Sequence, residues 1–208
     1  MTFASLRVLL FGSAVTLSVA GCAGSPDPVF YALSAQSGKP LQSPVLRIEM
    51  RNVGMPGYLD RPHIVRRASA ERLELAADER WGAPLDAMVG ATLGDDLAER
   101  LPNCVLFSES GSISTTADVR VEVEVTRFEL DADGAIHLDA SSAVRWSVGT
   151  DSVRLKRHAF TVQPASKSTA DLISGMSRAL GQFADAIALT IQAGAPPPSR
   201  ELAAPVVP

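Results

Sequence analysis

The sequence predicts an α+β fold of two layers, with two amphipathic helices packed on one face of a mixed, mostly antiparallel sheet. Three observations carry this expectation. Val119, Val121, Val123 and Val125 alternate with Arg120, Glu122 and Glu124, the period of a half-buried strand, and two more alternating runs follow at 136–148 and 153–162. Leu85, Met88, Val89, Leu93, Leu97 and Leu101 recur at helical spacing, as do Leu172, Ile173, Met176, Leu180, Phe183, Ile187 and Ile191. The order of elements is strand, hairpin, helix, strand, three-stranded meander, helix, which suits helices stacked on one side of a sheet.

Taken in order, Phe30 to Leu33 reads as a short edge strand, and residues 34–44, with Ser, Gly, Lys and two prolines, as a loop. From Val45 to Val53 the residues alternate, with Leu46, Ile48 and Met50 on the apolar side. Gly54-Met55-Pro56-Gly57 breaks that strand, and Pro62 keeps Arg61 extended. His63–Arg67 and Arg72–Leu75 read as a hairpin, after which Trp81 and Pro84 mark the start of the first helix, over 84–101, with Asp86, Asp95, Glu99 and Arg100 off its apolar stripe. Val105 to Phe107 reads as a strand, completing a strand–helix–strand crossover. The apolar parity flips at Phe128 and Leu130, which places a bulge near Thr126-Arg127. Asp133-Gly134 suits a tight hairpin turn, and 149–151 should turn again. Ser168 is the candidate N-cap of the last helix, with Asp171 three residues on, and Gly194 should end it. Residues 195–208 hold five prolines without periodicity and read as a disordered tail.

The N-terminus has its own logic. Arg7 precedes a short apolar run that ends in Val19-Ala20-Gly21-Cys22, the layout of an export signal rather than of a structural helix. Those four residues resemble the bacterial lipobox. Residues 1–21 would be cleaved, and Cys22 would carry the acyl chains, palmitate among them, that hold the protein at a membrane. The chain then divides into a signal (1–21), a lipidated cysteine with tether and edge segment (22–41), one α+β domain (42–194) and the tail. Ala23, rather than Asp, directly after the cysteine leans towards the outer membrane. Losing Arg7 makes the mature chain more acidic than the net −4 of the whole, so composition offers no footprint for nucleic acid. Aromatic residues are 5% of the chain, which leaves the core to Val, Leu, Ile and Ala. With Cys22 lipidated, Cys104 has no disulfide partner and reads as a small buried hydrophobe.

Catalytic patterns are missing from the sequence. His63, His137 and His158 stand singly, without a metal-ligand spacing, and no nucleophile elbow, P-loop or dinucleotide fingerprint occurs. Glu122 and Glu124 share a strand face, but with Arg120 beside them they read as solvated. His158 near Arg154, Lys156 and Arg157 could hold an anion; a polar sheet face explains these residues more simply. Trp81 and Trp146 read as core or interface. No cofactor other than the covalent lipid is expected, and no metal.

The stretch Gly57-Tyr58-Leu59-Asp60-Arg61-Pro62-His63-Ile64-Val65-Arg66-Arg67, followed by Arg80-Trp81-Gly82-Ala83-Pro84-Leu85, resembles the ABC-type transport auxiliary lipoproteins, the PqiC-like family. Phe30-Tyr31-Ala32-Leu33 soon after the cysteine is similar to that family's opening, and His63 stands where Gln is common. The resemblance implies a non-enzymatic lipoprotein on the periplasmic side of the envelope. It would be an accessory subunit of an MCE-type lipid transport system, working with an MCE-domain protein and an integral membrane transport subunit to maintain envelope integrity. Tyr58, Leu59, Asp60, Arg61, Pro62 and Trp81 form the candidate partner or self-association surface, because apolar residues on a loop stiffened by Gly and Pro suit an interface. Two rival readings remain at this stage: a structural outer-membrane lipoprotein binding a β-barrel or lipopolysaccharide, and an envelope hydrolase.

Overall fold

A computed structural model describes residues 27–148 and 152–194. The expected signal peptide, Cys22, the 149–151 turn and the proline-rich tail lie outside them. The fold is α+β: one eight-stranded mixed sheet and two helices. The strands are β1 (Val29–Tyr31), β2 (Arg47–Met50), β3 (His63–Arg67), β4 (Leu73–Trp81), β5 (Val105–Ser108), β6 (Val119–Leu130), β7 (Ile136–Trp146) and β8 (Ser152–Val162). Helix α1 (Leu85–Arg100) lies between β4 and β5, and α2 (Thr169–Gly194) closes the described chain.

The valine-rich strand β6 is the spine. Its whole length pairs antiparallel with β7, which pairs antiparallel with β8. Its other edge is shared by two strands: β2 runs parallel to Val119–Val121, and β3 meets it in parallel at Leu130. The chain from β2 to β3 therefore follows one edge of β6. Between the two strands, Gly54 bridges Glu124 before the chain swings out. Beyond β2 lies β5, parallel; beyond β3 lie β4, antiparallel, and then β1, parallel to β4. "Mostly antiparallel" is thus too loose. The longest ladders are antiparallel, but four of the seven pairings run parallel. The crossover through α1 returns not to its neighbour β4 but to β2, which is why β2 and β5 are parallel.

Alternation decides the layers. Val119, Val121, Val123 and Val125 are buried together with Ile136, Leu138, Ala140, Val144 and Trp146, and the apolar stripes of both helices join them in one core. The expected bulge falls between Val125 and Arg127 and restores Phe128 to the core face. Gly134 takes φ 84°, the left-handed conformation its tight turn requires. Ser168 caps α2 as expected: its hydroxyl accepts the Asp171 amide at 3.2 Å, and its carbonyl accepts the Leu172 amide.

Four expectations change. The second hairpin strand runs to Trp81 rather than Leu75, so Trp81 ends a strand instead of starting a helix. Its neighbours hold it there: the Trp81 amide donates to the Pro62 carbonyl at 2.7 Å. Arg100 is buried rather than on the solvent side of α1. Its guanidinium donates to Asp185 (2.5 Å) and to the carbonyls of Gln36, Asp96 and Gly181 (2.8–2.9 Å). The bond to Gln36, with the Ser34 amide on Ser177, the Gln36 amide on Asp96 and the Leu41 amide on the Arg100 carbonyl, seats residues 34–41 as a strap across both helices, so the boundary drawn at residue 42 does not separate two structural units. Finally, Arg154, Lys156 and His158 alternate with Arg157 and lie on the helix side of β8, opposite Val144, Ser142 and Ala140. His158 packs its ring 5.0 Å from that of Phe183, and burial lowers its pKa, which speaks against a waiting anion site.

Candidate partner-binding surface

The Tyr58–Pro62 loop is the excursion between β2 and β3. It leaves the β6 edge after Gly54, whose carbonyl accepts the Val125 amide at 2.9 Å, and it turns tightly, with the Leu59 amide on the Pro56 carbonyl. The loop does not present an exposed apolar pair. Leu59 is 2% exposed and belongs to the core, where burial of such a side chain contributes roughly 1.5–3 kcal/mol. Tyr58 is half-buried, and the Arg67 guanidinium lies 5.9 Å from its ring centroid. Arg67 in turn donates from Nε to Glu129 at 2.5 Å, and Arg127 donates to the same oxygen at 3.2 Å. Glu129 is fully buried, on the face of β6 away from the helices. Desolvation pushes the Tyr58 phenol up to about 12, with the Glu129 carboxylate adding to the effect. The loop is therefore pinned at two points, by Leu59 in the core and by the Tyr58–Arg67–Glu129 chain.

What remains free is the outer half. Asp60, Arg61 and Pro62 are exposed. With Trp81, Ala83 and Pro84 they line one shallow cleft of about 360 Å³. Trp81 is 4% exposed, so it forms the floor rather than a projecting anchor. Strand β1 borders the same place, since Tyr31 pairs in register with Trp81 and its carbonyl accepts the Gly82 amide at 2.8 Å. The three sequence stretches singled out separately are thus neighbours in space. Two prolines give the cleft rigid apolar walls over the indole floor, and Asp60 and Arg61 supply opposite charges.

Outside this cleft the polar candidates lie scattered over the fold. Glu122 and Glu124 are exposed and share a shallow concavity with Arg51, Asn52 and Glu109. Cys104 is half-buried, its sulfur 3.3 Å from the Ser43 hydroxyl. Sequence spacing missed a cluster of Asp131, Asp133 and His137, whose ligating atoms all lie within 4.8 Å of one another at the β6–β7 turn. Arg127 already binds Asp131, whose other oxygen takes the Ala132 amide, so the cluster reads as a clamp on the turn. The buried Asp96–Arg100 pair was also missed, because each lies just off the apolar stripe of α1, where charge ordinarily means solvent. No helix among the described residues is long and apolar enough to cross a membrane.

Comparison with known proteins agrees with the architecture. A crystal structure of a protein of uncharacterised function superposes with a TM-score of 0.67 at 19% identity, covering 80% of this chain and 99% of its own. A Xanthomonas campestris protein of the DUF330 family superposes with a TM-score of 0.65 at 16% identity, covering 78% and 95%. At such identities these likenesses speak for the fold alone. No curated protein matches the chain. Residues 31–188 match one family as a continuous stretch that runs from Tyr31 at the end of β1 through the Tyr58–Pro62 loop and Trp81 into most of α2, and the chain accordingly belongs to the ABC-type transport auxiliary lipoprotein component family.

Proposed function

We propose that this protein is a non-enzymatic, lipid-anchored subunit of an MCE-type, ABC-linked lipid transport system that maintains the bacterial envelope. The family is one of auxiliary transport components rather than of enzymes, and a lipoprotein of that kind works beside transporter subunits at a membrane. The finer points are ours. Cys22 carries the anchor, because Val19-Ala20-Gly21 precedes it. The outer membrane is its site, because Ala23 follows it. The MCE-domain protein docks on the cleft of Asp60, Arg61, Pro62 and Trp81, with an integral membrane subunit completing the assembly and self-association available to it. No nucleic acid and no cofactor beyond the lipid take part.

One observation carries the docking assignment: the fold brings two separate motifs, Tyr58–Pro62 and Trp81–Pro84, into one exposed cleft, while pinning Tyr58 and Leu59 from below. Crosslinking in intact cells through a photoreactive residue at Arg61, with purification through the lipoprotein, tests it. The expected adduct contains an MCE-domain protein. An adduct with a β-barrel or with lipopolysaccharide would replace this reading by that of an assembly lipoprotein.

A further inference from the structure

We infer that the free edge of β1 is a second membrane contact, with Val29 and Phe30 seated in the lipid headgroup layer; this rests on the reading of Cys22 as the anchor. Strand β1 ends the sheet and pairs only with β4. Its two leading residues are apolar and exposed, Val29 at 52% and Phe30 at 62%. Sheet edges that face water are ordinarily blunted with charge. The opposite edge follows that rule, since β8 carries Arg154, Lys156 and Arg157. The β1 strand carries no charge at all.

Chain length names the occupant. Six residues separate Cys22 from Val29, and the seven steps between the two span at most about 25 Å when fully extended. The β1 edge can therefore never stand far from the bilayer that holds the acylated cysteine. The β8 edge lies five strand spacings further across the sheet, roughly 24 Å away. Of these two edges the uncharged one is thus the nearer to the lipid; the third free edge, β5, is uncharged as well, with Val105 58% exposed, but no short tether ties it to the acylated cysteine. The surroundings of β1 suit lipid phosphates. Arg80 stands opposite Phe30 in register, and Arg61 lines the adjoining cleft. Of the acidic neighbours, Glu79 opposite Val29 is already bound by Arg66, while Asp27 and Asp60 stay at the surface. A short apolar contact added to an acyl anchor supplies the second signal that fixes a domain's orientation on a membrane. It would place the Trp81 cleft close to the bilayer surface.

The test uses the full acylated protein on vesicles of phosphatidylethanolamine and phosphatidylglycerol. In a Cys104→Ser background, an environment-sensitive nitrobenzoxadiazole label is attached at Phe30→Cys or, as control, at Leu155→Cys on β8. Flotation of the vesicles reports the anchor in the same samples. On vesicles the label at 30 should brighten several-fold and be quenched by lipids carrying a nitroxide near the headgroup, while the label at 155 stays as in water. Flotation with a water-like label at 30 overturns the contact and leaves the anchor standing. A label at 30 that becomes shielded only when the transport partner is added also overturns it, by assigning the edge to protein. Failure to float refutes the anchor and the contact together.

Discussion

The Pro62 carbonyl accepts the Trp81 amide at 2.7 Å, and this one hydrogen bond joins the loop after β2 to the end of β4. It divides the Tyr58–Pro62 loop into a buried half and an offered half, and the two should respond differently to mutation. Leu59→Ala empties a core position and should cost about 2–5 kcal/mol, read as a lower denaturant midpoint. Asp60→Ala and Arg61→Ala should change stability by less than about 0.5 kcal/mol yet weaken partner retention. Equal loss of stability from all three substitutions would make the loop scaffold throughout.

Glu129→Ala should be among the most destabilising changes to a charged residue here. It leaves Arg67 and Arg127 facing a buried gap and frees Tyr58, at a cost of roughly 3–5 kcal/mol. Double-mutant cycles with Arg67→Ala should show strong coupling, because the two removals dismantle one unit. Independent, additive effects would remove the loop-pinning role.

Burial pushes the Asp96 carboxyl up to about 6, although the Gln36 amide and Arg100 pull the other way. A carboxyl whose pKa is higher folded than unfolded stabilises the fold when protonated, and that contribution disappears as pH rises from about 4 through about 6. Melting temperature should therefore rise when pH falls from 7 to 5, and Asp96→Asn should flatten that rise. Asp118, Asp131 and Asp171 are held below the usual carboxylate range by Arg47, by the Ala132 amide with Arg127, and by Ser166 with Ser168, so their losses begin only at lower pH. A melting temperature that falls steadily from pH 7 to 5 would contradict the assignment.

Gly38→Val should loosen the strap. A side chain there would run into the Arg100 guanidinium, which sits between the strap and α2 and has no room to retreat. Faster proteolysis confined to residues 34–44, with the sheet core still protected from hydrogen exchange, is the expected pattern. Unchanged cleavage would show that the strap adapts.

Glu122→Gln combined with Glu124→Gln should leave envelope function near wild type, since both side chains are exposed. Loss of function in a folded, correctly located double mutant would revive the hydrolase.

Local pattern made much of this legible. The alternating valines, the bulge, the Asp-Gly turn and both helical stripes follow from periods of two and 3.6 residues, which act within a window of a few residues. Pairing partners do not. Nothing local says that β2 and β3 divide one edge of β6, so the parallel share of the sheet went unread. Leu59 failed for a related reason: a leucine between Gly, Pro and Asp looks like a loop residue until the loop folds back onto the core. Arg100 and Glu129 were invisible because a buried charge is acceptable only beside its partners, and one partner of each lies far away in sequence, at Asp185 and Arg67. The motif carrying the family resemblance was found by residue identity, and the structure supplied its division into pin and surface.

The strap has a mechanical consequence. A pull on the N-terminal arm meets first the three-residue ladder of β1 and then, in turn, the contacts of Ser34, Gln36 and Leu41 with the helices. None of these belongs to the β6–β7–β8 ladders. Under load, residues 29–41 would pay out like slack before the sheet is strained, lengthening the tether by up to about 45 Å. A domain held on so short a leash could then follow a partner across a gap and rewind when the tension falls.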